Sequence, residues 1–382
     1  MVCGEGADVG ATGMLRRFAI VLIVVQTVLF LAHFLLFLTI LAAWGPAKPS
    51  STRALGVALA ILSVFFLGSS LLAFRNANFV VRIAYLIGSV WLGTFNYLII
   101  AAVLWWMIYG IAVAASLPLP GSVLGFAVFG VALATSLYGV INAAWPRLKR
   151  IEVQLANLPL SWRGRTIAFV SDLHLGHVRR GRFLRRIVAR INREKPDLAI
   201  IAGDLFDGTA IDAERAAAPL EGLQVPFGTY FSEGNHEEFR DPRPYLEAIS
   251  KAGVRILDKQ KVELDGLQLI GVAYRDATHT EHLRSVLAAL AIDRTRASLL
   301  ITHAPDRPGV AAEAGISLQV SGHTHGGQLI PHTWIANRIY RQFVHGLSRA
   351  GSLQVYTSYG AGTWGPPLRV GTEPEIVMIR LI

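Results

Sequence analysis

Cysteine is nearly missing: the 382 residues contain one, Cys3. An intrachain disulfide and a cysteine-based zinc ribbon are thereby excluded. Charge is also scarce, at 16% of residues, where a soluble domain carries about 25%. With 53% hydrophobic residues and a mean hydropathy of +0.45, a disordered or collagen-like chain is excluded. The shortage of charge is local. Residues 1–150 hold 9 Lys/Arg and 2 Asp/Glu, whereas residues 151–382 hold 27 and 24. The net charges are therefore +7 and +3, and the basic excess belongs mostly to the apolar part. It reads as charge flanking a membrane, and no nucleic-acid partner is expected. Histidine is equally uneven, with ten of eleven after residue 150.

Long uncharged runs fill the first part. Phe18 to Trp44 has no charge over 27 residues, and spanning a bilayer core takes about 20 helical residues. Ala54–Phe74, Ile83–Ser116 and Ser122–Trp145 follow, separated by Gly45-Pro46, by Arg75-Asn76 with Asn78, and by Pro118 with Pro120-Gly121. Four membrane helices over residues 1–150 are expected. Arg16, Arg17, Arg75, Arg82, Arg147, Lys149 and Arg150 share one side, against Lys48 and Arg53 on the other. Seven against two puts both termini in the cytoplasm, with a multi-pass protein in the cell (inner) membrane. Arg16-Arg17 ahead of an apolar run also has the outline of an export signal, but the run exceeds a signal core of about 7–15 residues. His33, ionisable within the first span, is expected to pack against a neighbouring helix rather than serve a function. Trp91, Trp105, Trp106 and Tyr109 are expected as interface anchors or lipid-facing bulk.

Residues 151–382 suffice for one large domain. Short apolar runs there end in polar side chains. Thr166–Ser171 leads into Asp172 and His174, Leu198–Ala202 into Asp204, and Thr229–Ser232 into Asn235 and His236. Ser298–Thr302 leads into His303, and Leu318–Ser321 into His323 and His325. Between the first two runs Phe183, Leu184, Ile187, Val188 and Ile191 mark one face of a helix. In α/β architectures the functional crevice lies beyond the carboxyl ends of the strands. The collected Asp172, His174, Asp204, Asn235, His303, His323 and His325 suit divalent manganese, iron or zinc. Seven groups exceed one tetrahedral ion and match two ions sharing a carboxylate, as in phosphatases and nucleases.

Asp-X-His, Gly-Asp-X-X-Asp (Gly203 to Asp207), Gly-Asn-His-Glu, a later His303 and Gly-His-Thr-His occur in the order found in the calcineurin-like metallophosphoesterases, which this chain resembles. The run Ser171 to Gly176, the run Gly322 to Gln328, and the tail with Gly360 to Thr363, Pro366, Arg369 and Pro374-Glu375-Ile376 resemble the YkuE-like branch. That resemblance covers about residues 150–382. It implies a β-sandwich flanked by helices (αββα) behind the four-helix transmembrane domain.

It also implies Asp172, His174 and His325 on a first metal, Asn235, His303 and His323 on a second, and Asp204 bridging both. Manganese is the first expectation. His236 matches the family's catalytic histidine. Glu237 stands where many relatives have Asp, which leaves the acidic partner of His236 open, and Asp207 is expected to hold a metal ligand from behind. His177, His279, His282, His332 and His345 are expected as surface or substrate-side residues.

Two features bear on substrate. Arg179 to Lys195 carries eight basic residues and one acidic, which suits an anionic membrane or substrate, or else a solvated face. Ile330, Trp334, Ile335, Ile339, Tyr340, Phe343 and Val344 are either core or a wall for acyl chains. The chain further resembles the UDP-2,3-diacylglucosamine hydrolases. This implies a phosphodiester or pyrophosphate of a membrane lipid or nucleotide-sugar lipid precursor. Another phospholipid, an isoprenoid phosphate and a soluble phosphodiester stay open. A non-catalytic sensor or scaffold would be marked by lost metal ligands, and none of the seven is missing.

Overall fold

The computed structural model describes the backbone of residues 6–382 and the side chains of residue 16 and residues 19–382; Cys3, Arg17 and the side chain of Phe18 lie outside the described residues. Four long helices come first: α1 (Gly6–Trp44), α2 (Pro49–Ala73), α3 (Phe79–Ala114) and α4 (Gly121–Ala143). Each contains a candidate membrane span, bounded in α1 by Ala19 and Trp44. All four helices start before the uncharged runs predicted for them, and for α2 and α3 the capping chemistry gives the reason. Proline is at home in a first helical turn, where its missing N–H leaves no bond unmade, so Pro49 opens α2. Asn78 caps α3, its Oδ1 accepting from Val81 N at 2.9 Å.

One compact unit comprises the described residues up to Leu72 together with Ile83–Leu137; Ala73–Arg82 and Tyr138–Ile382 form the other. In the first unit His33 is buried, and its Nδ1 lies 2.7 Å from Leu29 O. Trp91 Nε1 donates to His33 Nε2 at 3.0 Å, and Phe95 stacks on the imidazole at 3.8 Å. The packing role expected for His33 is thus the observed one. Trp105 departs from expectation: it is fully buried, stacked on Tyr109, and donates to Gly121 O. Burying an indole requires an acceptor for its N–H, and the first turn of α4 supplies it. Apolar side chains such as Val28, Ile111 and Val131 stay about two-thirds exposed, as a lipid-facing surface requires.

The second unit is built on twelve strands: β1 (Arg147–Val153), β2 (Thr166–Val170), β3 (Leu198–Ala202), β4 (Thr229–Ser232), β5 (Val254–Ile256), β6 (Gln260–Leu264), β7 (Leu267–Gly271), β8 (Ser298–Ile301), β9 (Leu318–Ser321), β10 (Gly346–Ala350), β11 (Leu353–Thr357) and β12 (Glu375–Leu381). They form two six-stranded sheets, ordered β1-β12-β2-β3-β4-β5 and β10-β11-β9-β8-β7-β6. Strands β2 to β5 run parallel, with Ile167 opposite Leu198 and Ile201 opposite Phe231. Strands β11, β9, β8 and β7 are parallel in the other sheet.

Alternation along each strand assigns the faces. Ile167, Phe169, Ile200, Leu269, Leu299 and Val320 meet between the sheets. Ala168, Val170, Ile201 and Phe231 face outward, where the helix α5 (Gly181–Glu194) covers them with Phe183, Leu184, Ile187, Val188 and Ile191. Leu283, Leu287 and Val310 cover the outer face of the second sheet. The layering is αββα, as the resemblance implies. Leu184 is fully buried in this outer layer. Leu184→Ala should therefore cost about 2–5 kcal/mol, whereas Arg185→Ala on the exposed face should stay within about 0.5 kcal/mol. Denaturant unfolding of the detergent-solubilised chain checks both.

Candidate metal centre

The parallel strands deliver their carboxyl ends to one crevice. Asp172 and His174 follow β2, Asp204 follows β3, Asn235 and His236 follow β4, His303 follows β8, and His323 and His325 follow β9. Asp172, His174, Asp204, His323 and His325 all have positive φ, between 46° and 68°. A left-handed backbone on a side chain with a Cβ costs about 1–3 kcal/mol and persists only where neighbours fix it. Two glycines make room. Gly203 has φ of +74°, and a Cβ there would lie 2.5 Å from His303 Nδ1. A Cβ on Gly322 would overlap the Asp172 carboxylate.

Two clusters result. In the first, His174 Nε2 lies 3.0 Å from His325 Nε2, and Asp172 Oδ1 lies 3.4 Å from His325 Nε2. In the second, His323 Nδ1 lies 3.1 Å from His303 Nε2, and Asp204 Oδ2 lies 3.1 Å from His303 Nε2. Asp204 Oδ2 also reaches within 3.7 Å of His174 Nε2 and 3.9 Å of His236 Nε2, so one carboxylate oxygen serves both clusters. Asn235 Oδ1 is buried without a hydrogen-bond partner. Buried acceptors are rarely left unpaired, so this one points to a cation. Carboxylate, amide oxygen and imidazole donors at these separations fit a dimetal site, with three donors such as Asp172, His174 and His325 within 4.8 Å of one another.

The surroundings orient the donors. His303 Nδ1 lies 2.9 Å from Ala202 O; donation there leaves Nε2 as the ligating atom. His236 Nδ1 lies 3.0 Å from Asp207 O, and the backbone N of His236 donates to Asp204 Oδ1. Arg369 is fully buried, with Nη2 3.0 Å from His325 Nδ1 and donating to Gly362 O at 2.8 Å. Burial lowers His174 and His325 well below the ordinary imidazole range, with added repulsion from His236 and His174 respectively. Burial raises Asp172 to about 6. Asp204 is held below the carboxylate range: burial opposes this, but His303, His236 and His174 outweigh it. Burial likewise opposes the rise of His303, which the Asp204 carboxylate nevertheless pushes up to about 10.

Several expectations need correction. Glu237 is not a partner of His236. Its fully buried carboxylate accepts from the backbone N of Asp204, Phe206 and Gly234 at 2.9–3.0 Å, tying two site loops together. Burial and the nearby Asp204 charge push it up to about 8. Asp207 touches no proposed ligand with its carboxylate, which accepts from Thr209; its carbonyl holds His236 instead. His177 is buried rather than on the surface, its Nε2 3.2 Å from Ala73 O. His345 is half-buried, stacked on Tyr359 at 3.6 Å and 3.3 Å from Glu375. His279, His282 and His332 are exposed.

Three aromatic rings neighbour the site; Tyr340 was singled out in the sequence as core or acyl wall, whereas Tyr274 and Trp364 were missed. The Tyr274 ring lies 5.3 Å from His323, Tyr340 lies 6.3 Å from it, and the exposed Trp364 lies 5.7 Å from His236. No spacing pattern announces Tyr274 or Trp364. Arg369 stood out only as a mark of the YkuE-like tail.

Comparison with known proteins agrees with this geometry. Residues 165–327 match the family model of the calcineurin-like phosphoesterases. An uncharacterized metallophosphoesterase of Campylobacter jejuni is 32% identical over 251 residues, covering 64% of this chain and 66% of its own. A transmembrane protein with metallophosphoesterase domain from Danio rerio is 32% identical over 262 residues, covering 64% and 60%. The uncharacterized metallophosphoesterase YkuE of Bacillus subtilis is 29% identical over 240 residues, covering 59% and 81%. The chain spans slightly under two thirds of the length of the first curated relatives it matches, 66% and 65%. Residues 165–327 thus match a calcineurin-like phosphoesterase domain, and four helices before them are long and apolar enough to cross a membrane.

The Glu237 arrangement gives a test. Glu237→Ala leaves three backbone N–H groups unpaired in a buried loop, at about 1–3 kcal/mol each. The thermal midpoint of the purified chain should fall by several degrees. An unchanged midpoint would refute this tying role for Glu237.

Proposed function

We propose that the chain is a dinuclear-metal-dependent phosphoesterase that hydrolyses a phosphodiester or pyrophosphate bond. The observation that carries this reading is Asp204 Oδ2, 3.7 Å from a nitrogen of the first cluster and 3.1 Å from one of the second. Asp172, His174 and His325 would hold one cation, Asn235, His303 and His323 the other, with Asp204 between them. Manganese is the expected ion, and iron and zinc suit the same donors. Two such ions, when bound, supply Lewis acidity toward phosphoryl oxygens and a more acidic water.

The chain's own residues do the rest. In the hydrolysis water adds to phosphorus, the bond to the leaving oxygen breaks, and that oxygen takes up a proton. His236 is placed to donate it from Nε2, since Nδ1 is engaged by Asp207 O at 3.0 Å. Trp364 and Phe239 flank the His236 ring and limit the water around it.

For substrate we favour a membrane lipid or nucleotide-sugar lipid precursor, as in UDP-2,3-diacylglucosamine hydrolysis. The supporting observation is the helix His332–Tyr340, which starts seven residues after His325. Trp334, Ile335 and Ile339 are 57–70% exposed on it, which makes them available to an acyl chain rather than core. A membrane domain over residues 1–150 would keep the phosphoesterase domain over 151–382 at the bilayer. The basic asymmetry of the loops favours the cytoplasmic face of the cell membrane. A fused reporter after Ile382 that works only in an oxidising compartment should stay silent, and an active one would reverse this orientation.

Hydrolysis of bis-p-nitrophenyl phosphate should require added divalent metal and cease with chelator; undiminished turnover in metal-stripped protein would refute the proposal. Asp204→Ala should lose both ions by elemental analysis. His236→Ala should keep them while the rate falls by about 10²–10⁴-fold.

For substrate, kcat/KM should be higher for an acylated UDP-sugar than for its deacylated form in mixed micelles. Each methylene held is worth about 0.8 kcal/mol. Trp334→Ala with Ile339→Ala should narrow the gap. Equal values in the unaltered protein would defeat the lipid substrate.

A further inference from the structure

A second cavity lies apart from the metal clusters, with none of their residues in its wall. Its volume is about 470 Å³, and its lining includes Trp145, Phe183, Arg186, Ile187, Arg190 and Arg193. Three arginines thus contribute to a wall that is otherwise apolar. Among the described residues no carboxylate lies within 4.0 Å of Arg186, Arg190 or Arg193. Glu194, the one acid of α5, is engaged by Arg150 at 2.7 Å.

A fourth unneutralised cation stands beside this wall. Arg179 lies over the Phe183 ring at 4.9 Å and donates to Ala143 O, while its Nε is buried without a partner. Burial and the neighbouring Arg186 charge lower it to about 10. Proteins seldom gather four arginines without a counter-charge, because their mutual repulsion is uncompensated. The arrangement implies an anion supplied from outside.

Position specifies which anion. Trp145 is 69% exposed and stands two residues past Ala143, the end of the fourth candidate span. Tryptophan at such a place marks the headgroup level of a bilayer. Arg190 donates to Pro146 O, which fixes α5 against the exit of that span. A soluble phosphate would need only the guanidinium groups. The apolar remainder of the wall, Trp145, Phe183 and Ile187, matches the glycerol and first acyl carbons of a lipid.

We propose that this cavity binds the phosphate of an anionic phospholipid headgroup from the leaflet that meets the end of α4. The site is separate from the proposed catalytic one and would hold α5, and so the outer layer of the first sheet, at the membrane surface.

The test uses the full chain in detergent, with native mass spectrometry and quenching of tryptophan by brominated lipid. Phosphatidylglycerol should bind at least about tenfold more tightly than phosphatidylcholine and should quench a component that Trp145→Phe removes. The triple variant Arg186→Gln, Arg190→Gln, Arg193→Gln should weaken phosphatidylglycerol about 100-fold, since each basic residue contributes roughly a factor of five. Its unchanged thermal midpoint would show that the fold survives. Should the variant not fold, the Trp145-dependent quenching in the unaltered protein decides alone. Equal affinity for the two lipids, or a triple variant that binds normally, overturns the site. Competition by about 10 mM inorganic phosphate at full strength would assign the cavity to a free anion and overturn the lipid. None of these readouts depends on phosphoesterase activity, so a failure here is distinct from a failure of the catalytic proposal.

Discussion

One carboxylate oxygen, Asp204 Oδ2, organises the second unit. It is buried and faces nitrogens of His174, His303 and His236 at 3.1–3.9 Å. A buried carboxylate is tolerated only with compensation, and here imidazoles supply it from three different strand ends. The demand propagates outward. To bring these rings to one oxygen, the chain turns through positive φ at Asp172, His174, Asp204, His323 and His325. Such turns hold only if the loops around them are tied. Glu237 ties the loops after β3 and β4, and Arg369 ties His325 to the loop containing Gly362. The strain at the centre and the bonding at its rim are two sides of one arrangement.

The ends of the apolar helices take part in that rim, within the same compact unit. Ala73 O, at the end of α2, accepts from Ala210 N at 2.9 Å and lies 3.2 Å from His177 Nε2. Asn142, at the end of α4, donates to the carbonyls of Arg369 and Thr372. Gly139 O accepts from Arg369 N at 2.9 Å. Arg369 in turn touches His325, and His177 lies three residues past His174. Without these helix ends, several buried polar groups would lose partners at about 1–3 kcal/mol each. Ala73, Gly139 and Asn142, all within the second unit, thus complete the bonding of loops beside the site.

What was legible in the sequence follows from this physics. Strands that end in Asp, His or Asn beside glycine are visible because the polar residue interrupts an apolar run. All of the five runs predicted appear as β2, β3, β4, β8 and β9, within one residue at their ends. The face of α5 was readable from its 3.6-residue period. The antiparallel edges β6 and β10 were not, since both are half-exposed and mixed in composition. Strand β12, between β1 and β2, depends on pairing across more than two hundred residues, which no local pattern carries. The role of Glu237 stayed open because its bonds are to backbone N–H groups, which every sequence has. Trp334, Ile335 and Ile339 left two readings open because apolar residues at helical spacing look alike whether covered or bare.

The local electrostatics also bear on what the crevice is built to hold. His174 Nε2 and His325 Nε2 face each other at 3.0 Å, and His323 Nδ1 faces His303 Nε2 at 3.1 Å. A neutral imidazole has one lone pair, and two opposed lone pairs at this distance repel unless a proton or a cation lies between. A proton satisfies one pair of rings but offers nothing to Asn235 Oδ1, which has no donor within reach. A divalent cation satisfies lone pair, amide oxygen and carboxylate together, because it accepts from all three donor types at once. Two nitrogen pairs that share one carboxylate suit two such charges, in keeping with the dinuclear site proposed above.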